Sequence, residues 1–340
     1  MATALHDRSR VPTDGNVKEE FAALLAGAGV YDLGSRAKIA LRGEDRVRWL
    51  NGMVTNNVRD LAEGHGIYAY LLNPQGHILA DLYAYNRGDT LLVDTDRSQA
   101  EKVLATFDHY IIMDDVEAEN ISGKLTALGI AGPKAPETLH SAGIQLPTLA
   151  PLYFANISWR DKPVTVLRSD HPRIESFELW LAPENVPALR EALTNAGGSP
   201  IGSSALDLFR IALGTPRYGQ DIRERDLPQE TGQDRALNFS KGCYVGQEIV
   251  ERIRSRGAVH RTFTGFLVEG SLPLSGTKIQ ADGKEVGEIT STASLPLKGG
   301  DLPVALGYLR REAAVPGKPL EAAGARLTAA RLPFAQVFSD

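Results

Sequence analysis

The hydrophobic pattern changes character about three quarters of the way along the chain, and this change constrains the fold more than any other feature. Over residues 1–262, strand-like segments alternate with amphipathic segments such as the one that carries Val47, Leu50 and Val54 at helical spacing. Over residues 263–340, short strands follow one another and no strong helix intervenes. Antiparallel strands mixed with helices predict an α+β region, and the all-strand remainder predicts a small β-barrel domain.

Periodicity, capping signals and turn residues locate individual elements. Strands at 67–72 and 77–85 flank Asn73-Pro74-Gln75-Gly76, which is typical of a turn. Ser98-Gln99-Ala100-Glu101 forms a capping-box pattern and predicts the start of a helix, and Asp282-Gly283 predicts a tight turn between two barrel strands. Other helices are predicted at 17–27, from 133, at 183–196 and at 203–212, and other strands at 38–42, 90–94, 124–130, 163–167, 176–181, 261–268, 277–281, 285–290 and 304–309.

Composition narrows the class of protein. With 340 residues, of which 43% are hydrophobic, the chain is too long for one core, so two or three domains are expected. The net charge of -5 argues against a nucleic-acid binder, whose footprint would be basic. The N-terminal residues contain no apolar run of signal-peptide length, and no stretch is long enough to cross a membrane. A monomeric, cytoplasmic protein is therefore expected.

Cys243 is the only cysteine and lies in the stretch KGCYVGQE. A single thiol excludes an intramolecular disulfide and a metal site built from cysteines alone, and no metal-ligand spacing is found elsewhere. Lys241 could stabilise a thiolate, and Gly242 and Gly246 would permit unusual backbone angles. From these residues alone Cys243 could be a buried small hydrophobe, a nucleophile, a redox thiol or a single ligand to a metal or cluster held elsewhere.

Longer motifs surround this stretch. KGCYVGQE continues as IVERIRSRG and is preceded by LFRIALGTPRYGQDI, and WLNGMVTNNVRDLAEG, YAYLLNPQGHILADLYAY and GPKAPETL occur earlier in the chain. Together they resemble the YgfZ family of folate-dependent iron–sulfur proteins and its relative, the aminomethyltransferase (T-protein) of the glycine cleavage system. The resemblance extends over roughly residues 30 to 310, a span of domain scale.

The resemblance implies a T-protein-like cloverleaf of three domains, two α+β domains that bind folate and a small C-terminal β-barrel. Tetrahydrofolate or a one-carbon derivative would occupy the central hole. Asp81 matches an acid that assists chemistry on the folate, Tyr68 a tyrosine that lines the pocket, and Glu178 a glutamate that binds the pterin. The chain departs from the family at Ala80, where a first acid is missing, and at two further folate contacts, where it carries His171 and Leu206.

These assignments agree with the chemistry of the residues. A carboxylate such as Glu178 can accept the N–H groups along one edge of a pterin, and Tyr68 offers an aromatic face. Asp81 could accept a proton or hold a cationic amine. Each residue also has a plainer interpretation: Asp81 as a solvated strand residue, Glu178 as the partner of a base such as Arg173, and Tyr68 as part of a tyrosine-rich core.

The resemblance implies an accessory factor that uses folate in the assembly or repair of iron–sulfur clusters in client enzymes, including tRNA-modifying ones. Cys243 would be its functional thiol, Lys241 would tune that thiol, and Gln247 would position the loop and contact the cofactor. The alternative is an enzyme, a folate-dependent aminomethyltransferase or demethylase that uses Asp81. A third possibility is a folate-binding scaffold in which the thiol has no role.

Overall fold

A computed structural model describes residues 16–338 apart from 172, 258 and 316, and the backbone only of Arg256. The described residues form two open sheets, a closed barrel and seven α-helices. The helices are α1 (Val17–Ala26), α2 (Arg46–Met53), α3 (Arg97–Tyr110), α4 (Ala135–Ser141), α5 (Val186–Asn195), α6 (Ser203–Leu213) and α7 (Gln247–Arg256). None of them combines the length and the hydropathy that a membrane-spanning helix requires.

The first sheet has five strands in the order β3-β4-β5-β2-β6, all antiparallel. They are β2 (Arg36–Arg42), β3 (Gly66–Leu72), β4 (Ile78–Asn86), β5 (Leu91–Asp96) and β6 (Glu117–Asn120). One face packs with α2 and α3 around a core that includes Ile39, Leu50 and Phe107. The opposite face carries the tyrosines of β3 and β4.

The second sheet has six strands in the order β11-β1-β7-β10-β9-β8. They are β1 (Gly29–Asp32), β7 (Thr126–Ala131), β8 (Phe154–Trp159), β9 (Lys162–Arg168), β10 (Ser176–Leu181) and β11 (Ser199–Pro200). The strands β1, β7 and β10 are buried along most of their length, and their apolar side chains pack with α4 and α5. The two-residue strand β11 adds the one parallel pairing found in the described part of this sheet.

The C-terminal strands close into a barrel in the order β12-β15-β14-β13-β16-β17. They are β12 (Arg261–Glu269), β13 (Lys278–Ala281), β14 (Lys284–Leu297), β15 (Gly300–Arg310), β16 (Leu320–Ala322) and β17 (Ala325–Ala330). Closure pairs β12 with β17, so the barrel leaves no open edge. The predicted α+β fold with a C-terminal barrel is confirmed, while the division into 1–262 and 263–340 stays a prediction.

Two local predictions differ from the structure. The helix α3 is capped by Asp96, whose side chain accepts a hydrogen bond from the Ser98 backbone, so the predicted capping box at Ser98 was wrong. Asp96 satisfies an orphan N–H group of the first turn and starts the helix at Arg97, two residues earlier than a cap at Ser98 would. The helix α7, directly after the cysteine stretch, was not predicted.

Candidate functional site

A cavity of about 290 Å³, here called the tyrosine cavity, lies where the two open sheets meet α6 and the segment that follows it. Tyr68, Asp81 and Glu178 all line it, although they come from β3, β4 and β10. His171 and Leu206, the positions at which the chain departs from the family pattern, line it too. The structure therefore brings together the residues that the sequence singled out for a folate pocket.

Asp81 is held by two neighbours in this cavity. The Tyr68 hydroxyl donates to its Oδ2 at 2.8 Å, and the Gln99 side-chain amide donates to its Oδ1 at 2.8 Å. The Asp81 backbone N–H in turn donates to Gln99 Oε1 at 3.0 Å. Asp81 is thus an oriented carboxylate and not the freely solvated strand residue of the plainer interpretation.

Position 80 faces the other side of the same strand. Ala80 is fully buried in the core beneath α2 and α3, because successive side chains of a strand point to opposite faces. An acid at this position would not reach the tyrosine cavity. The missing first acid therefore removes no carboxylate from the cavity and does not count against chemistry at Asp81.

Glu178 belongs to a buried cluster of charges. The Trp180 indole N–H donates to Glu178 Oε2 at 2.8 Å, and Lys38 Nζ lies 4.0 Å from the same oxygen. Lys38 also pairs with Asp94, to which Arg36 donates at 2.6 Å. The cations of Lys38 and Arg36 thus balance the carboxylates of Glu178 and Asp94. Ionised groups can be buried away from water only when they are paired in this way.

The second oxygen of Glu178, Oε1, has no hydrogen-bond partner among the described residues. Burial raises the pKa of Glu178, against the opposing effect of Lys38. The plainer interpretation, a pair with a nearby base such as Arg173, holds in part, because Glu178 does pair with a base, but that base is Lys38 and not Arg173. Glu178 offers one acceptor oxygen to a ligand that brings an N–H donor into the cavity.

Two further side chains shape the cavity. Arg235 lies with its guanidinium 4.5 Å from the centre of the Tyr68 ring and forms an ion pair with Asp170. His171 has an Nδ1 atom 3.0 Å from the Ser176 hydroxyl, and burial lowers its pKa to about 4. His171 is therefore neutral at physiological pH and contributes a polar ring without a charge.

A larger cavity of about 540 Å³, here called the barrel cavity, adjoins the first. It lies between the barrel strand β12, the residues after β17 and the loop that contains Gln233 and Arg235. Four residues line both cavities: Leu213, Thr215, Gln233 and Arg235. The two spaces therefore share a wall.

The cysteine loop, residues 241–246, is fixed to the end of α2. Lys241 is 8% exposed, and its ammonium donates to the carbonyl oxygens of Asn51 and Val54. The Val245 N–H donates to the Gly52 carbonyl at 3.1 Å. Burial, with a further effect from Arg59, lowers the pKa of Lys241 to about 7. Lys241 therefore anchors the loop, and its predicted effect on the thiol stays a prediction.

Cys243 itself is exposed on this anchored loop, so the interpretation as a buried hydrophobe was wrong. Among the lining residues of the two cavities Cys243 does not occur. Gln247, at the first position of α7, accepts a hydrogen bond from the Tyr244 backbone at 3.3 Å and is likewise absent from both linings. This hydrogen bond ties Gln247 to the loop, while its predicted roles in positioning the loop and contacting a cofactor stay predictions.

Two glycines let the loop approach the β3–β4 turn. Gly246 has a φ of 81°, and a Cβ at this position would lie 2.5 Å from the Asn73 carbonyl oxygen. Gly76, in the turn, has a φ of 77°, and its Cβ would lie 2.7 Å from Ile249 Cβ. Only glycine fits both the left-handed backbone and the close contact. The loop and the strands that carry Tyr68 and Asp81 are thus packed into one unit.

Comparison with known proteins agrees with this arrangement. Residues 6–241 match the family model described as GCVT N-terminal domain. The chain belongs to the GCVT N-terminal domain family. In this GCVT-domain protein, residues 256–336 also match the model described as CAF17, C-terminal beta-barrel domain, which corresponds to the closed barrel.

Curated relatives of this GCVT-domain protein are similar along most of their length. An aminomethyltransferase of Rubrobacter xylanophilus is 31% identical over 83% of the chain and 77% of the relative. An aminomethyltransferase of Geobacillus kaustophilus is 29% identical over 94% of the chain and 90% of the relative. The solved structure of glycine cleavage system aminomethyltransferase T from Bartonella henselae has a TM-score of 0.84, covering 94% of the chain and 89% of that structure at 23% identity. This last likeness shows the fold alone.

Several side chains of the site were not predicted. Gln99, Lys38, Arg36 and Arg235 reach the tyrosine cavity or the charges behind it only through the pairing of distant strands and loops. The sequence did carry a signal for Gln99. It lies in the first turn of the helix that directly follows β5, and the start of such a helix lies close to the end of the strand before it. Among the described residues, no group of three or more His, Cys, Asp or Glu side chains could hold a metal ion.

Proposed function

We propose that this GCVT-domain protein binds tetrahydrofolate or a one-carbon derivative in the tyrosine cavity. The observation that carries the proposal is that Tyr68, Asp81 and Glu178 line one cavity. Relatives named aminomethyltransferase support it at the level of the family.

The residues present fit the pterin part of a folate. Glu178 Oε1 can accept one N–H bond from the edge of the ring, and Lys38 behind it favours the ionised carboxylate against the burial that raises its pKa. Tyr68 lines the cavity beneath the Arg235 guanidinium, and its hydroxyl is already satisfied by Asp81. Leu206 and Phe209 add apolar surface on the α6 side. When bound, a folate supplies a carrier for one-carbon groups; the chain supplies orientation and exclusion of water.

The biological role we propose is that of an accessory factor in the assembly or repair of iron–sulfur clusters of client enzymes. The exposed thiol of Cys243 supports this role, because Lys241 and Gly246 fix its loop while the thiol stays accessible. The CAF17-type barrel accompanies the folate region and is consistent with the role. The thiol would then act on a partner protein and not on a ligand inside the cavity.

Calorimetry with tetrahydrofolate tests the folate part. Loss of Glu178 as acceptor in Glu178→Ala should weaken binding by about tenfold to a hundredfold, since a hydrogen bond to a charged group contributes roughly 1.5–3 kcal/mol. Glu175→Ala is the matched control, because Glu175 is exposed and pairs with Arg168. Absence of saturable binding to the unaltered protein would refute the folate proposal.

Complementation tests the thiol. In cells that lack the protein, the unaltered chain should restore client activity, read as the content of thiolated nucleosides in tRNA, and Cys243→Ala should not. The variant should stay folded, because the exposed side chain makes no hydrogen bond to the described residues. Full rescue by Cys243→Ala would leave the protein a folate-binding scaffold without a reactive thiol.

The alternative function is that of a folate-dependent aminomethyltransferase or demethylase. The oriented carboxylate of Asp81 favours it, together with the names of the relatives. Transfer of a one-carbon group from an aminomethyl donor to tetrahydrofolate, lost in Asp81→Asn, would establish the enzyme. No turnover by the unaltered protein under conditions of saturating folate would exclude it.

A further inference from the structure

The loop between α3 and β6, residues 111–116, exposes two adjacent apolar side chains. Ile112 is 82% exposed and Met113 is 95% exposed, more than any other large hydrophobic side chain that the structure describes. Single exposed apolar residues are common on protein surfaces, whereas apolar residues that stand together in solvent mark contacts with other molecules. The proposed function gives this apolar pair no role so far.

The backbone that carries the apolar pair is fixed on both sides. Before it, the Trp49 indole N–H donates to the Tyr110 carbonyl oxygen at 3.3 Å. After it, the Asp115 N–H donates to Asp45 Oδ2 at 3.0 Å, and the Glu44 N–H donates to Asp115 Oδ2 at 2.9 Å. A fixed loop loses little conformational entropy when a partner covers it, so the pair is presented in a form that favours binding.

Carboxylates surround the apolar pair. Arg48 is the cation that pairs with two of them, Asp45 and Asp114. Four others within five residues of the pair or bonded to its loop form no ion pair with the described residues: Glu44, Asp108, Asp115 and Glu117. An acidic border repels nucleic acids and anionic lipids and attracts lysine and arginine side chains, so the complementary surface is a basic one on a protein.

Gly52, in the last turn of α2, supplies a separate observation. Its backbone is helical, and beyond its own helix backbone and chain neighbours no described atom lies within 4 Å of where its Cβ would be. Neither backbone angles nor crowding within the described chain therefore requires glycine here, although alanine would make the helix more stable. The missing side chain leaves the outer face of α2 open to the close approach of another chain.

This outer face of α2 connects the apolar pair to the cysteine loop. Arg48 and Gly52 lie one helical turn apart on the same side, a separation of about 6 Å. Arg48 pairs with Asp114, next to the apolar pair. The Gly52 carbonyl accepts from the Val245 N–H, two residues after Cys243. A standard interface covers about 800 Å² of each partner, roughly 30 Å across, so one partner at Cys243 can also cover the apolar pair.

We propose that Ile112, Met113 and the outer face of α2 form a docking surface for the client protein on which Cys243 acts. The matching surface of the client is an apolar pocket bordered by lysine or arginine. Ile112 and Met113 enter the pocket, the acidic border meets the basic one, and Gly52 lets the client lie close to α2 as far as the cysteine loop. This inference rests on the proposed function of the thiol.

Complementation with the full-length chain tests the apolar pair. The double variant Ile112→Ser with Met113→Ser should lower the content of thiolated nucleosides in tRNA by about tenfold, because a few buried anchors dominate an interface. Its tetrahydrofolate affinity and unfolding free energy should not change, since both side chains lie in solvent and outside the tyrosine cavity. Leu274→Ser is the matched control, because Leu274 is similarly exposed between β12 and β13 of the barrel. Equal rescue by the double variant and the control would overturn the inference.

Gly52→Gln tests the face of α2 without removing any contact within the chain. Glutamine favours a helix, so the variant should be at least as stable as the unaltered protein in urea, yet it should restore less client activity. A glycine needed only for folding would show the opposite result, a loss of stability. Gly299→Gln is the matched control, since a Cβ on this glycine of the β14–β15 turn also meets no described atom within 4 Å. Full rescue by Gly52→Gln would overturn docking along α2.

Sedimentation with a purified tRNA-thiolating iron–sulfur enzyme identifies what covers the apolar pair. The unaltered chain should form a complex that weakens as salt is raised, and the double variant should bind about tenfold more weakly. A complex that the double variant leaves unchanged would overturn the inference. So would self-association of the unaltered chain that the double variant abolishes, because the pair would then cover a second copy. If the unaltered chain restores no client activity, the proposed function itself fails, which is distinct from a chain that restores it without Ile112 and Met113.

Discussion

At the scale of single residues, Asp81 depends on a side chain from another element. Gln99 is almost fully buried in the first turn of α3 and meets both the Asp81 carboxylate and its backbone N–H. A buried amide that forms two such hydrogen bonds fixes the rotamer of its partner. Gln99 is therefore a positioning residue for whatever Asp81 does.

Replacement of Gln99 by Leu should lower the free energy of unfolding by about 1–3 kcal/mol, because it leaves the Asp81 N–H and Oδ1 without their partner. Urea denaturation measures this loss. Gln75→Leu, in the exposed β3–β4 turn, is the control and should change stability by less than about 0.5 kcal/mol. If the two variants are equally stable, the Gln99 contacts do not hold Asp81.

The raised pKa of Glu178 predicts how ligand binding depends on pH. The ionised form accepts the N–H bond of a pterin, so tetrahydrofolate affinity should fall as acid protonates the carboxylate. Since burial raises the pKa of Glu178, the midpoint of this loss in affinity should lie above pH 4.5, which is the ordinary pKa of a glutamate. Calorimetry between pH 7.5 and about 4.5 measures it, and the range stays above the pKa of His171, about 4. Constant affinity over this range would contradict the assignment, and Glu178→Gln should show no such dependence.

Sequence reasoning reached the residues of the site that stand in motifs and missed those that depend on tertiary contact. Tyr68 and Asp81 lie in a recognisable strand–turn–strand, and Glu178 lies in a buried strand. Lys38 and Arg235 carry no local signal, because a charged residue on a strand or in a loop is normally solvated. Only the folded chain brings Lys38 within 4.0 Å of Glu178.

At the scale of elements, the cysteine loop and the β3–β4 turn form one packed unit. Gly246 combines left-handed backbone with close contact to Asn73, whereas Gly257, at the other end of α7, has the same kind of backbone but no described atom within 4 Å of where its Cβ would lie. Substitutions at these two glycines therefore distinguish the cost of a left-handed backbone from the cost of a steric clash.

Gly257→Ala should cost about 1–2 kcal/mol of unfolding free energy, the strain of a left-handed alanine. Gly246→Ala should cost about 1–3 kcal/mol more, because the added methyl group would meet the Asn73 carbonyl oxygen. Urea denaturation of both variants measures the difference. Equal losses would mean that the turn can move away from the loop.

Elements with strict periodicity were predicted, and elements without it were not. The strand β10 was predicted with its observed bounds because a short apolar run lies between turn signals. The helix α7 was missed although Ile249, Val250 and Ile253 lie at helical spacing, because charged residues dominate the segment. The strands β16 and β17 are rich in alanine, a weak strand former, so only their pairing in the closed barrel defines them.

At the scale of the whole molecule, ion pairs join the barrel to the folate region. Arg261, at the start of β12, donates to Asp226 at 2.7 Å and to Glu230 at 3.0 Å, and both carboxylates lie in the segment before the cysteine loop. Arg223 in that segment reaches Glu288 on β14 at 2.5 Å. These pairs cross between the barrel and the segment that leads to the cavity, so they fix the orientation of the barrel cavity towards the tyrosine cavity.

Arg261→Met should destabilise the protein by about 3 kcal/mol, because it leaves the nearly buried Glu230 without its cation and the fully buried Asp226 with only the more distant Arg223, at 3.8 Å. The value lies at the low end for a broken buried pair, since 26% of the Arg261 side chain is exposed. Arg310→Met is the matched control, because Arg310 lies opposite Arg261 on the neighbouring strand β15. Its side chain forms an ion pair only with Glu312 at the surface, so its loss should cost less than about 1 kcal/mol.

The size of this loss relative to the control distinguishes broken ion pairs from a general loosening of the barrel. Urea denaturation of Arg261→Met and Arg310→Met measures the two losses in unfolding free energy. A loss in Arg261→Met that is no greater than that of the control would mean that packing rather than the ion pairs attaches the barrel. If the loss is greater, the barrel is held by charge, and the shared wall of the two cavities depends on a few carboxylates in the segment that precedes Cys243.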